Sequence, residues 1–245
     1  MTRDSCAVGK PTESGALLAI SLSGGLTRAT VNGASWGSEI SMDWNHHPEA
    51  CGWRRQRTRA SVVGQYNEQQ NEAGTRTIGR NYEGNLQHLA YVPGNRFYIS
   101  GNASYFSNNS LAIHLQQVYR LGAGSEFDLG NLGLELDLGP TWVHQDFTDT
   151  SSTQSFSGGE ADARFDLGIP FTSVGGDFSG AVSVLLPFNG TGRWQLRSFV
   201  GLFAPLSSRV RLTIKAYYDF LARTPPGSEP NYFTTMVGIS ANIGR

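Results

Sequence analysis

Charged side chains recur at every second position along several stretches of this chain. Arg55, Arg57 and Arg59 do so in one segment, Glu135 and Asp137 in another, Glu160, Asp162, Arg164 and Asp166 in a third, and Arg197, Arg211 and Lys215 lie on later ones. A spacing of two places such residues on one face of an extended strand. Facing a lumen, groups of both signs have two uses. They can pair and hydrate to hold the lumen's shape, since an isolated buried ion costs several kcal/mol. Alternatively, they can line a polar pore or binding cavity whose basic and acidic walls select a solute. Either use depends on register, because a slip of one residue exchanges the two faces.

Other chemistry is thinner. His144 and Asp146 share one strand face near a predicted strand end and could form part of an acid–base pair, as in a surface hydrolase or acyl-transfer barrel. A catalytic constellation also needs a nucleophile or activated water, and the sequence places none beside them. The expectation is therefore no enzyme and no catalytic residue. His46-His47-Pro48-Glu49 could ligate a metal, yet it sits in a predicted turn without a third well-spaced ligand. No metal or other cofactor is expected. Gly122-Ala123-Gly124 and the glycines from Gly130 onward precede no helix, which a phosphate-binding loop requires. Barrel bends and bulges explain them more simply. Asn102-Ala103-Ser104, Asn108-Asn109-Ser110 and Asn189-Gly190-Thr191 match the glycosylation pattern, a motif short enough to arise by coincidence. Cys6 and Cys51 are too few for a disulfide framework, and the sequence does not decide whether they pair.

Positioning these residues falls to strands. The chain shows no heptads, no sustained 3.6-residue stripe and no capped helix, while apolar–polar alternation recurs from end to end. Val210, Leu212, Ile214, Ala216, Tyr218 and Phe220 face one way, and Arg211, Thr213, Lys215, Tyr217 and Asp219 the other. Phe233, Thr235, Val237, Ile239, Ala241 and Ile243 repeat the pattern at the end of the chain. Reading back gives about twelve strands, at 17–23, 36–44, 53–66, 80–92, 96–105, 111–121, 132–143, 160–169, 178–186, 194–203, 210–220 and 233–243. Tight turns are predicted at 93–95 and 205–209, and longer polar loops at 67–77, 147–157, 187–193 and 222–231.

Even strand number, strands near 9–11 residues and an alternation of short and long connections fit an outer-membrane barrel. The predicted fold is all-β, a single antiparallel up-and-down transmembrane β-barrel spanning residues 17–245 after an atypical or disordered segment, 1–16. Aromatics near predicted strand ends would form the interfacial girdles: Trp36, Trp44, Trp53, Tyr91, Phe97, Tyr105, Trp142, Phe178, Trp194, Tyr218, Phe220, Tyr232 and Phe233. The competing use of such rings is the core of a soluble β-sandwich. His88 and Gln117 resist the membrane register, because both fall on otherwise apolar faces.

Composition narrows the class. The 245 residues carry 19 basic and 20 acidic side chains, a net charge of −1, so no basic field exists for nucleic acid. Only 16% of residues are charged, against 30 glycines and 13 Phe, 9 Tyr and 5 Trp, which suits neither disorder nor a helical bundle. No apolar stretch approaches the roughly 18 residues of a membrane helix. The N-terminus as written shows no secretory signal, so the expectation is either a chain that stays in the cytoplasm or a sequence that starts downstream of its true signal.

The final third resembles a known family. Trp194 to Asp219 is similar to its penultimate hairpin, Thr224-Pro225-Pro226-Gly227 to its Pro-Pro-Gly loop, and Phe233-Thr234-Thr235-Met236-Val237-Gly238-Ile239 to its Thr-rich last strand. Upstream, Arg96 to Tyr105 and Leu138-Gly139-Pro140-Thr141-Trp142 sit where the family has comparable segments. This is the family of salt-induced outer-membrane proteins (YdiY-like), a domain of unknown function. The resemblance implies a Gram-negative outer-membrane barrel with membrane lipids and the barrel assembly machinery as partners, small solutes or ions as further candidates, and no catalytic residues to carry over. The chain departs from the family in lacking a signal peptide and in ending Ile243-Gly244-Arg245 rather than on an aromatic residue. The reading that follows is a structural or weakly conducting barrel with a charged, largely filled lumen. A surface hydrolase and a soluble β-sandwich or barrel are the alternatives.

Overall fold

Alternation gives each strand one apolar and one polar face, and an antiparallel sheet of such strands leaves no unpaired edge once it closes on itself. That is the architecture of the computed structural model, which describes residues 15–28, 32–46, 55–70, 76–92, 96–147, 153–169, 176–188, 193–207, 209–222 and 230–243. Twelve strands follow one another around a closed barrel. They are β1 (Gly15–Arg28), β2 (Asn32–His46), β3 (Gln56–Gln70), β4 (Arg76–Tyr91), β5 (Phe97–Asn108), β6 (Ile113–Asp128), β7 (Leu132–Phe147), β8 (Thr153–Ile169), β9 (Gly176–Pro187), β10 (Gln195–Pro205), β11 (Val210–Leu221) and β12 (Asn231–Ile243). Every neighbouring pair is antiparallel, and β1 closes the cylinder on β12 with Leu22 opposite Ile239. Closure removes the sandwich alternative, which needs two sheets with open edges.

Strands run 11 to 17 residues, longer than the sequence suggests. The excess comes from polar stretches that continue the ladder. Residues 67–70 of β3 pair with 76–79 of β4, and 153–157 belong to β8. This shortens the connections read as long loops at 67–77 and 147–157 to 71–75 and 148–152, while those at 188–194 and 222–230 stay close to their predicted lengths; all four lie at the rim where odd strands pass to even ones. At the other rim the connections are 47–55, 92–96, 129–131, 170–175 and 206–209, so the expected short–long asymmetry is weak.

One stretch turns into the barrel. Between β5 and β6 a 3-10 turn, Asn109–Leu111, is tied by the Leu111 amide donating to Asn108 Oδ1 at 3.2 Å. Ala112 follows at φ 55°, a left-handed conformation uncommon outside glycine. Its neighbours Leu111 and Ile113 are completely buried, so the strain is offset by apolar burial.

Glycines in β6 have an identifiable purpose. A Cβ on Gly122 would lie 2.5 Å from Asp137 Oδ1 and 2.6 Å from Ser100 Oγ, and one on Gly124 would overlap the Tyr98 ring. The bare backbone makes room for larger side chains of β5 and β7 inside the lumen.

Candidate functional site

Ion pairs between strands that are not neighbours identify the inner face. Arg197 on β10 donates to Glu83 on β4 at 2.5 Å, across the full width of the barrel, and to Asp219 on β11 at 3.4 Å. Arg59 on β3 reaches Glu135 on β7 at 2.7 Å, and Lys215 on β11 bonds Glu39 on β2. Such contacts are possible only through the lumen.

The twelve charged positions singled out from the sequence fall into this interior. Arg57 grips Asp43 at 2.5–3.1 Å and meets Glu126 at 3.5 Å, while Arg55 reaches Glu126 at 3.4 Å with its guanidinium 4.1 Å over the Tyr91 ring. Arg120 is almost wholly buried among Asp162, Asp137 at 3.6 Å and Glu160 at 3.7 Å. Arg211 bonds Asp177 at 3.2 Å. Arg164 lines a central cavity, and Asp166 follows two residues along the same side of β8. Arg120, Glu39, Asp43, Glu83, Glu126, Asp177 and Asp219 complete the network without having been singled out beforehand. Glu83 was within reach of the alternation rule. Arg120 was obscured because Gln117, on the same predicted strand, left its register in doubt.

Toward the odd-to-even rim, the lumen is apolar. Phe106, Leu111, Ile113, Phe147, Leu221 and Tyr232 form one buried cluster bridging β5–β6 to β11–β12, and Val118, Val143, Phe156 and Leu185 form a second. The Arg193 guanidinium covers the Phe147 ring at 4.1 Å, and Gln116 donates to Gln195 at 2.9 Å across the barrel. Between plug and ion pairs remains a cavity of about 170 Å³, whose lining includes Asn81, Glu83, Glu160, Asp162, Arg164 and Asp219. That is room for several ordered waters among polar groups that can bind them.

The outer wall is apolar between two aromatic levels. Trp36 and Trp44, Phe97 and Tyr105, and Tyr119 and Phe127 each lie eight residues apart, all exposed. Eight residues span about 26 Å of strand, or about 20 Å of height at a tilt near 40°. Ile40, Ile99, Leu121, Leu138, Val182 and Val200 point outward between these levels. Two expected girdle residues turn inward instead. Tyr91 donates to Glu126 beneath Arg55, and Tyr232 packs into the plug with its hydroxyl 3.4 Å from Gln65. Trp53 lies outside the described residues, as do Cys6, Cys51, His47 and Glu49.

Polar residues on the outer wall come in partnered sets. His88 Nδ1 sits 2.9 Å from Thr58 Oγ1 on the adjacent strand. Gln117 lies directly opposite His144, itself directly opposite Ser155. A hydroxyl that the sequence reading did not place beside His144 is here, because Ser155 belongs to the stretch read as loop and found as strand. Its Oγ is 2.8 Å from His144 Nδ1. On the other side His144 Nε2 lies 3.7 Å from Asp146 Oδ1, which accepts a 2.7 Å hydrogen bond from Thr153.

Comparison with known proteins concerns the fold and the family. The chain is similar to the NanC porin at 11% identity and a TM-score of 0.52, with 91% of this chain and 100% of that one covered. It is similar to an outer membrane channel from Pseudomonas putida F1 at 9% identity and a TM-score of 0.52, covering 99% of each chain. At these identities the likeness is one of architecture: the chain has an outer-membrane β-barrel fold. No curated protein matches significantly. Matched over residues 37–242, from the second strand to the last, the chain belongs to the family described as "Protein of unknown function, DUF481".

Proposed function

We propose that this chain is an outer-membrane barrel whose lumen is closed, serving as a structural or weakly conducting element rather than an open porin. The observation that carries the reading is the apolar plug. Leu111 and Ile113, both fully buried, meet Leu221 and Tyr232 from the opposite wall, and the cross-lumen ion pairs fill much of what lies beyond. An apolar constriction of this kind excludes ions by dewetting. Mixed-sign walls beyond it hold the barrel's shape through pairing, as between Arg197 and Glu83 and between Arg59 and Glu135.

In this reading the partners are membrane lipids along the outward band and the assembly machinery that inserts such barrels. The lumen carries no chemistry. Small ions or solutes enter only as far as the hydrated cavity.

Planar-bilayer recording of the refolded protein tests the proposal. The wild type is expected to show no large, steady conductance steps, and a Leu111→Ala, Phe147→Ala variant to show them. Large, steady wild-type steps would overturn the closed-lumen reading.

A further inference from the structure

Three successive outward-facing cross-strand pairs on β7 and β8 stand together near one rim: Trp142 with Ser157, His144 with Ser155, and Asp146 with Thr153. The middle pair supplies a hydroxyl hydrogen-bonded to an imidazole at 2.8 Å, and the last supplies a carboxylate 3.7 Å from the far ring nitrogen. Nucleophile, base and orienting carboxylate are thus in sequence, the arrangement that activates serine for acyl transfer. Trp142 stacks on the His144 ring, with centroids 6.0 Å apart and planes 10° from parallel, and Thr153 holds Asp146 at 2.7 Å. The side chains of His144 and Asp146 are about 30% exposed, so a substrate can reach them.

A second observation adjoins the first. A groove of about 620 Å³ opens on the same outer wall, bounded by Trp142 and Ser157, the neighbours of the trio, and continuing past Tyr119, Leu121, Ala103 and Leu86 toward the middle of the apolar band. Gly101 and Ala103, which carry little or no side chain, leave room along its floor. On a wall that faces a bilayer, the molecule that fills such a groove is an acyl chain. The trio lies at and just beyond the aromatic level of Tyr119 and Trp142, the depth where headgroups join their chains.

We propose that Ser155, His144 and Asp146 form a hydrolytic site for lipid acyl esters, with the groove receiving the acyl chain. This goes beyond the closed-lumen reading and departs from the non-enzymatic expectation of the sequence. Ser155 Oγ adds to the ester carbonyl as its proton passes to His144 Nδ1. The tetrahedral adduct then collapses, the carbon–oxygen bond to the alcohol breaks, and His144 returns the proton to the leaving oxygen. Water entering from the rim gives its proton to His144, attacks the acyl–Ser155 ester and releases the carboxylic acid as Ser155 regains its proton. Ester and water become acid and alcohol, with no other reactant. Asp146 steadies the imidazolium formed in both halves.

The test uses the full chain, refolded into vesicles and verified as folded by gel migration before boiling. One arm carries diacyl phospholipid, a second lipopolysaccharide, and a third an ether-linked phospholipid with no ester to cleave. Fatty acid release is expected from one or both ester arms and not from the ether arm, and the arms separate the two lipid sources. Ser155→Ala and His144→Ala should lose at least about 100-fold, the lower bound for removing a general base. Ser38→Ala, exposed on the outer face of β2 between Trp36 and Ile40, should retain full turnover. Ala103→Trp should reduce hydrolysis of long-chain esters while sparing a short-chain ester, and a fluorophosphonate probe should label wild-type protein but not Ser155→Ala. Folded wild-type protein that releases no fatty acid above the Ser155→Ala background in either ester arm would overturn the proposal, whatever the conductance.

Discussion

Truncating Leu111 to alanine measures the plug. The side chain is fully buried against Phe106, Ile113, Phe147, Leu221 and Tyr232. Removing three carbons forfeits about 2.5 kcal/mol of transfer free energy, at about 0.8 kcal/mol each. A cavity term adds to this, because the surrounding residues come from strands fixed in a closed ladder and cannot collapse inward. The expected loss is about 3–4 kcal/mol, within the range for buried leucines. Urea unfolding in lipid vesicles, followed by tryptophan fluorescence, reads it as a lower midpoint at unchanged slope. Leu206→Ala provides the comparison, because Leu206 lies 60% exposed in the β10–β11 turn and its truncation should change stability by less than about 0.5 kcal/mol. If the two substitutions cost the same, Leu111 is not held in a packed plug.

Other perturbations follow from the same geometry. Ile214→Arg places a charge on the outward face of β11 within the apolar band and should destabilise insertion by about 2–4 kcal/mol, whereas Leu206→Arg at the rim should cost about 0–1 kcal/mol; a vesicle-folding titration reads both. Gly122→Ala drives a methyl into Asp137 and Ser100 and should cost about 1–3 kcal/mol in the same assay, while Gly101→Ala, with no atom within 4 Å of the new carbon, should be nearly neutral. Arg197→Gln strands Glu83 and Asp219. Since the Arg197 side chain is 23% exposed, the expected loss is about 1–3 kcal/mol, and neutralising Glu83 in the same chain should recover part of it.

Much of the fold was legible because a membrane barrel writes its two environments into alternate residues. The polar faces of β11 and β12 turn inward and their apolar faces outward, and all twelve predicted segments correspond to strands. What was not legible has local causes. Strand ends made of residues such as Asn67 and Ser155 are polar on both faces, so alternation fades where the ladder leaves the apolar band. Ser155 was consequently hidden from His144 until register placed them opposite one another. Tyr91 and Tyr232 look like girdle residues because an amphipathic ring suits an interface and a wet lumen equally well. His88 and Gln117 appeared misplaced because one-strand reading cannot show their neighbours, Thr58 and His144. The plug is not legible in alternation because it depends on the inward turn at Asn109–Leu111, whose buried leucine joins side chains from five strands.

A single gel bears most directly on the account. The full chain, refolded in detergent micelles, is compared boiled and unboiled. A closed, hydrogen-bonded barrel resists dodecyl sulfate until heated, so the unboiled sample should migrate faster. Protein that is soluble without detergent and migrates identically in both lanes would contradict a membrane barrel, and the outward Trp36, Ile40, Leu121 and Leu138 would then need another partner than lipid.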